Sequence, residues 1–180
     1  AVCASYKYEY DKNNNLSKLT QSVGGFDWAV SYTYDKDNRP VTATLANGTK
    51  ISNQYDGIGR LVGRSIKNGS ATVSQIQLSY VTGTNGATTL VRSYRNGSDA
   101  KYNYDYDANG NITKIWRGSS TFENADEKFS YEYDSMNQLV RENLYYGENN
   151  SANSTYTYAY DSYGNMLGKN RYAYTTGSIA

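Results

Sequence analysis

The chain has 180 residues, with 18 basic against 17 acidic side chains and a net charge of +1. That length suits one domain or a short repeat array, and the balanced charge excludes a nucleic-acid or acidic-membrane partner held by bulk electrostatics. No His is present and Cys3 is the lone Cys, which excludes Ser-His-Asp and Cys-His sites and any internal disulfide. Tyr outnumbers Phe 21 to 3 and Gly outnumbers Pro 16 to 1, a composition for strands whose aromatic faces are partly wet. No apolar run is long enough for a membrane-spanning helix. Residues Ala1 to Ser5 lack the basic start and apolar run of a secretory signal.

The first predicted strand carries Tyr6, Tyr8 and Tyr10 at alternate positions, which share one face. Asp11 follows, then Asn14, and apolar sequence resumes at Leu16. The same order returns at Tyr32, Tyr34, Asp35 and Asn38; here Pro40 predicts a strand that starts late or lies at an edge. It returns at Tyr55, Asp56 and Gly59 before Leu61, and at Tyr102, Tyr104, Tyr106, Asp107 and Gly110 before Ile112. Two further copies are Tyr131, Tyr133, Asp134 and Asn137 before Leu139, and Tyr156, Tyr158, Tyr160, Asp161 and Gly164 before Met166. The six Asp residues lie 24, 21, 51, 27 and 27 positions apart. The double gap fits one degenerate copy, about 73–98, around Tyr80, with a longer loop across Ser79 to Tyr94. Tyr172 and Tyr174 look like the opening of another. A fixed period means one supersecondary unit stacked on itself. Residues 1–180 thus form a single array of about seven units of 21–27 residues, expected to be an excerpt of a longer protein.

Each phrase predicts a hairpin. Counting the Asp as first, it opens a type I turn and its side chain bonds the backbone two residues on. The fourth position is only ever Gly or Asn, the residues that best tolerate positive φ, so a left-handed residue and a β-bulge should close the loop. Asn47-Gly48, Asn68-Gly69 and Asn96-Gly97 predict the return turns. Glu123 to Lys128 and Glu148 to Ser154 read as polar surface insertions. The fold class is all-β: an antiparallel β-hairpin array of about a dozen strands, whose accumulated twist should give a curved, spiralling sheet with stacked Tyr rings.

Candidate chemistry is sparse. Two carboxylates can serve a glycosidase, but these Asp residues recur at the turn-forming position, so none is assigned a catalytic role. Asp105-Tyr106-Asp107-Ala108-Asn109-Gly110-Asn111-Ile112 matches a calcium-loop template through its eighth position. Trp116 stands where that template needs Glu and the flanks are strand-like, so no metal and no cofactor is expected. Asn-Gly-Thr and Asn-Gly-Ser triplets at Asn47, Asn68 and Asn96 follow from the turn chemistry itself. Trp28 and Trp116 are the candidate glycan contacts by ring stacking, weighed against packing on the sheet.

The run Ser52-Asn53-Gln54-Tyr55-Asp56-Gly57-Ile58-Gly59-Arg60-Leu61 resembles the YD repeat, or Rhs repeat, whose pattern is Tyr-x-Tyr-Asp-x-x-Gly-Arg-Leu. Tyr104 to Ile112 and Tyr158 to Met166 match with Asn111 and Asn165 in place of Arg. The resemblance covers nearly the whole chain. Such repeats occur in bacterial Rhs and Tc toxins, cell-wall-associated proteins and teneurins, where hairpins spiral into a hollow shell or solenoid. The resemblance implies a non-enzymatic, bacterial secreted or surface module that serves as shell or scaffold and encloses a toxin segment. A carbohydrate-binding module using exposed Tyr and Trp is the alternative. The expected partners are adjacent repeats, a toxin segment or glycans, with weak self-association through terminal strands.

Overall fold

The structure is a computed structural model that describes residues 3–84, 86–99 and 101–179. Residues 1, 2 and 180, the outermost of the predicted array, lie outside the described residues. Fourteen strands follow one another: β1 (Ala4–Tyr10), β2 (Leu16–Val23), β3 (Phe26–Tyr34), β4 (Pro40–Leu45), β5 (Thr49–Tyr55), β6 (Leu61–Asn68), β7 (Ala71–Gly83), β8 (Gly86–Asn96), β9 (Tyr102–Tyr106), β10 (Ile112–Arg117), β11 (Glu127–Tyr133), β12 (Leu139–Tyr145), β13 (Ser154–Tyr160) and β14 (Met166–Ala173). Strand order in the sheet is chain order, so every connection is a hairpin. The described residues contain no helix. The all-β antiparallel hairpin array expected from the sequence is the architecture found.

The chain divides into two compact units, Ala1–Leu78 with Arg95–Ser98, and Ser79–Tyr94 with Asp99–Ala180. The first holds β1 to β6 and the Ala71–Leu78 part of β7. The second holds the remainder of β7, most of β8, and β9 to β14.

In both units the phrase folds by one mechanism. The register shifts by a residue next to the Tyr in all six copies, at Glu9/Tyr10, Thr33/Tyr34, Gln54/Tyr55, Glu132/Tyr133, Ala159/Tyr160 and, on the facing strand of the sixth, Ile112/Lys114. The fourth-position residues Asn14, Asn38, Gly59, Gly110, Asn137 and Gly164 have φ of 65, 60, 91, 86, 61 and 84°. The fourth-position N–H donates to the Asp carbonyl in every copy, at 3.0–3.1 Å. This is a type I turn closed by a left-handed residue and a bulge. A β-branched side chain at φ near +86° is strained, whereas Gly57 has ordinary φ and open space around a new Cβ. We therefore expect Gly110→Val to cost about 1–3 kcal/mol and Gly57→Ala to be neutral or slightly stabilising. Urea unfolding of the pair checks this; equal effects would refute the turn geometry.

Several details differ from the sequence expectations. Ser79 to Tyr94 is no long loop. Ser79–Gly83 belongs to β7 and Gly86–Tyr94 to β8, strands of 13 and 11 residues, because their Thr- and Val-rich stretches are strand formers. Pro40 neither delays β4 nor marks an edge. It is the first residue of the strand, a position that tolerates Pro, and β4 pairs with β3 and β5. The β2–β3 turn is Gly24-Gly25, with φ of 56 and 86°, a Gly-Gly hairpin signal outside the Asn-Gly set expected from the sequence. The 123–128 insertion is not simply surface: Ala125 within it is buried, Phe122 just before it packs edge-on against Trp116, and Glu127 and Lys128 already belong to β11.

The buried apolar side chains among the described residues are Trp116 and Ala125; the buried polar ones are Ser93, Asn143, Ser154 and Thr155. Most of the sheet is half-buried at best.

Candidate functional site: the aspartate turn and its junction with the next unit

Each Asp carboxylate is the hub of its turn. Oδ1 accepts the N–H of the third residue: Asn13, Asp37, Ile58, Asn109, Met136 and Tyr163, at 2.8–3.1 Å. It also accepts the N–H of the fifth: Asn15, Arg39, Arg60, Asn111, Gln138 and Asn165, at 2.9–3.0 Å. Oδ2 then takes the side chain of that fifth residue in five copies, from Asn15 (3.1 Å), Arg39 (2.6 Å), Arg60 (2.7 Å), Asn111 (2.9 Å) and Asn165 (2.9 Å). The sequence shows Asn111 and Asn165 in place of Arg but not the role they share with it. Any side chain whose N–H reaches back across the turn will serve.

These bonds favour the ionised form. The Asn15 backbone N–H lowers the Asp11 pKa, and the Asn111 and Asn165 side-chain amides lead in lowering those of Asp107 and Asp161. At Asp35 and Asp56 desolvation pushes upward, but the combined backbone and guanidinium bonds of Arg39 and Arg60 outweigh it. At the other end of the scale, burial and then the Glu142 charge push the Tyr131 hydroxyl up to about 12. Carboxyls lowered by folding add stability above their unfolded pKa and lose it as pH falls through the folded one; a raised Tyr loses its share as pH climbs from its unfolded value toward the folded one. Melting temperature should therefore be flat near neutrality, fall below about pH 4 and fall again above about pH 10. A constant melting temperature across the acid limb would contradict the Asp geometry.

The turns are also where successive units meet. The phrase Tyr donates its hydroxyl to a main-chain carbonyl of the preceding unit. In the first compact unit Tyr34 reaches Leu16 O (2.9 Å) and Tyr55 reaches Pro40 O (3.0 Å). In the second, Tyr106 reaches Val91 O (2.7 Å), Tyr133 Ile112 O (2.9 Å) and Tyr160 Leu139 O (2.9 Å). Four of these acceptors are the sixth residue of the preceding turn. Deleting one hydroxyl, Tyr133→Phe, should cost about 1 kcal/mol and speed exchange of neighbouring amides; no measurable change would show that the bond adds nothing net.

A second contact ties the fifth residue of one turn to the fourth of the next. Asn15 and Asn111 donate Nδ2 to Asn38 and Asn137 Oδ1, each at 2.8 Å. Where the next fourth residue is Gly, the fifth is long: a Cβ added to Gly59 would sit 3.0 Å from Arg39, and one added to Gly164 2.9 Å from Gln138. Asn thus meets Asn, and Arg or Gln lies over Gly. The ring pairs among the described residues, Trp116–Phe122, Phe129–Tyr146 and Tyr145–Tyr174, join no two phrase tyrosines. The expected Tyr stacks are replaced by cations over rings, such as Arg39 over Tyr55 at 4.9 Å and Lys169 over Tyr156 at 4.2 Å.

The remaining candidates separate clearly. Trp116 is 5% exposed, its ring covered by Phe122, so packing removes it from reach of a glycan. Trp28 is 63% exposed. The β1–β2–β3 register sets it in a row with Gln21 and Tyr6, beside a row of Phe26, Val23 and Ala4. Asp105 lies on β9 with Arg92 at 4.0 Å, and both Asp107 oxygens are already bonded. Among the described residues no three His, Cys, Asp or Glu side chains gather as a metal would require.

No protein-family model and no curated protein matches the chain. Solved structures do. The crystal structure of TcdB2-TccC3-Cdc42 aligns over 91% of this chain with a TM-score of 0.53 and 15% identity. That of TcdB2-TccC3 without its hypervariable C-terminal region aligns over 91% with a TM-score of 0.52 and 16% identity. In both cases the chain spans only 11% of the neighbour's length. Identity this low establishes a shared fold and nothing finer.

Proposed function

We propose that the chain is a non-enzymatic YD-repeat module that forms part of a shell or scaffold wall in a bacterial secreted or surface protein, with a toxin segment as the enclosed cargo. The observation that supports this most is the use of the turn Asp. In each copy Oδ1 is bonded within its own turn, as is Oδ2 in five of the six, and the Tyr beside it joins unit to unit in all but the first. The recurring residues are therefore spent on building an extensible wall, which leaves no recurrent free carboxylate for chemistry. The fold shared with TcdB2-TccC3 over most of the chain supports the same reading. Protease protection tests it. In a protein carrying this segment around a cargo, Asp56→Ala with Asp107→Ala should open the enclosed sequence to cleavage. Cargo cut equally fast with or without the substitutions would overturn the shell reading.

One observation favours a second reading, glycan binding. Tyr6, Phe26 and Trp28 are exposed on one face of β1 to β3, with the Gln21 amide between Tyr6 and Trp28 and bonded to the Tyr6 hydroxyl at 3.3 Å. Flat rings around an amide suit the apolar face and hydroxyl rim of a sugar. Oligosaccharide quenching of Trp28 fluorescence, lost in Trp28→Ala, is the expected result; no quenching by any cell-wall oligosaccharide removes the reading.

A further inference from the structure

We infer that the polar face of β4 to β7, within the first compact unit, binds an acidic polysaccharide, with a carboxylate or sulfate of the sugar held between Lys50 and Lys67. The site is separate from the aspartate turns and from Trp28, and it rests on neither the shell reading nor the ring-stacking one.

Charge is balanced over the whole chain but not here. From Pro40 to Leu78 the basic residues are Lys50, Arg60, Arg64 and Lys67, and the one acid is Asp56. Asp56 is committed to Arg60, at 2.7 Å. Arg64 pairs with Asn53, bonds its Oδ1 at 2.9 Å and stands on the other face, since successive strand residues alternate. The two lysines remain. They lie directly opposite each other across β5 and β6, where Cβ atoms stand about 5 Å apart and like charges destabilise the pair. Both are exposed, and neither makes an ion pair among the described residues. A sheet that sets two cations side by side gives up stability that an anion between them restores.

The surroundings indicate what carries that anion. The cross-strand row through the lysines runs Thr44, Lys50, Lys67, Thr72. The next row on the same face, about 7 Å along the strands, runs Thr42, Ser52, Ser65, Gln75. Beyond it Gly63 lies between Gln54 and Gln77. A hollow of about 70 Å³ opens among Ser52, Gln54, Gly63, Ser65, Gln75 and Gln77. Gly within a strand weakens it and often marks a close approach by another group. Gly63 is buried, and Gln54 Oε1 lies 2.8 Å from where its Cβ would stand, so an amide is set into the gap at the wall of the hollow. Hydroxyls and amides both donate and accept, which matches the hydroxyl groups of a sugar. Neither row carries an aromatic ring, so a nucleic-acid base has nothing here to stack on. Two cations beside a neutral floor of hydroxyls and amides therefore fit an acidic sugar chain, not a polynucleotide.

Titration calorimetry with polygalacturonate, dextran sulfate, neutral dextran and oligothymidylate tests this. At low salt the chain should bind polygalacturonate, dextran sulfate or both, which tells a carboxylate ligand from a sulfate one, and should leave neutral dextran unbound. High salt should abolish the binding, because exposed charges are screened. Lys50→Ser and Lys67→Ser should each weaken it severalfold. Lys36→Ser, which removes an exposed turn lysine of the same unit, should leave it unchanged. A second readout separates lost binding from lost folding. Without ligand and at low salt, Lys67→Ser should melt no lower than the unaltered chain, since it relieves the repulsion across β5 and β6. A lower melting temperature would show that the lysine pair is not repulsive and would remove the premise. The proposal also fails if neither acidic polysaccharide binds, if neutral dextran binds as well as they do, or if Lys36→Ser weakens binding as much as Lys67→Ser. Oligothymidylate bound as tightly as the acidic sugars would mean a bare cationic patch and overturn it too.

Discussion

Trp116→Ala should destabilise the unit that contains β9 to β14 by about 3–5 kcal/mol, the usual cost of emptying a large buried aromatic site. Trp116 ends its side chain under an edge-on Phe122 ring, centroids 6.0 Å apart at 87°, and is buried. Lys114 caps the outer face of Phe122 at 4.8 Å. Gly118 opens the covering loop at φ +83° with the Asp126 carboxylate pressed where a Cβ would be, so the loop has little freedom to settle into a cavity. That rigidity puts the expected cost toward the upper end, because the penalty grows with the volume left empty. Trp28→Ala is the control: the side chain is exposed, and its loss should change stability by less than about 0.5 kcal/mol. Urea unfolding followed by circular dichroism reads both. A Trp116→Ala cost as small as that of Trp28→Ala would mean that the loop is a flap and not a core.

This pair of tryptophans also marks the limit of what the sequence discloses. The turns were legible because their determinants are local. Asp at the first position and Gly or Asn at the fourth follow from the conformations those residues favour, and repetition six times over separates the signal from chance. The all-β hairpin order was legible for the same reason, since alternation and turn spacing leave little else. The Trp116 core was not. It depends on Phe122, which stands beside Glu123, Asp126 and Glu127 that make the segment read as solvated. The long β7–β8 hairpin is hidden because its copy of the phrase is degenerate, with Val81 after Tyr80 where the others have Asp, and Pro40 is harmless because it stands at a strand start. The fifth-position side chains are visible but mute: Asn and Arg look unrelated until the turn shows that each offers an N–H at the same place.

Thr155→Val should cost about 2–4 kcal/mol, more than its change in shape suggests. Thr155 has 0% exposure and is the most buried side chain among the described residues. Its Oγ1 lies 2.9 Å from Asn143 Oδ1 and 3.1 Å from Thr175 O, and accepts the Thr175 N–H at 2.9 Å. Arg141 closes the group by donating to Thr175 O at 2.6 Å and Gly177 O at 2.8 Å, while Asn143 Nδ2 donates to Ser130 Oγ at 3.0 Å. One hydroxyl thus links β12, β13 and the segment after β14. Valine fills the same space but leaves the Thr175 N–H without that partner and the Asn143 oxygen with only the Arg141 Nε at 3.2 Å, and a buried group left without a partner costs roughly 1–3 kcal/mol. Thr155→Ser keeps the hydroxyl and loses only a methyl, so it should cost about 1 kcal/mol. Hydrogen exchange separates the two explanations. In Thr155→Val the Thr175 amide should lose protection while the Asp161 amide, bonded to Asn165 O at 3.0 Å in a turn outside this group, keeps its own. If Val and Ser cost the same and Thr175 stays protected in both, packing rather than the hydroxyl holds this end of the sheet, and Arg141 alone must be anchoring the final residues.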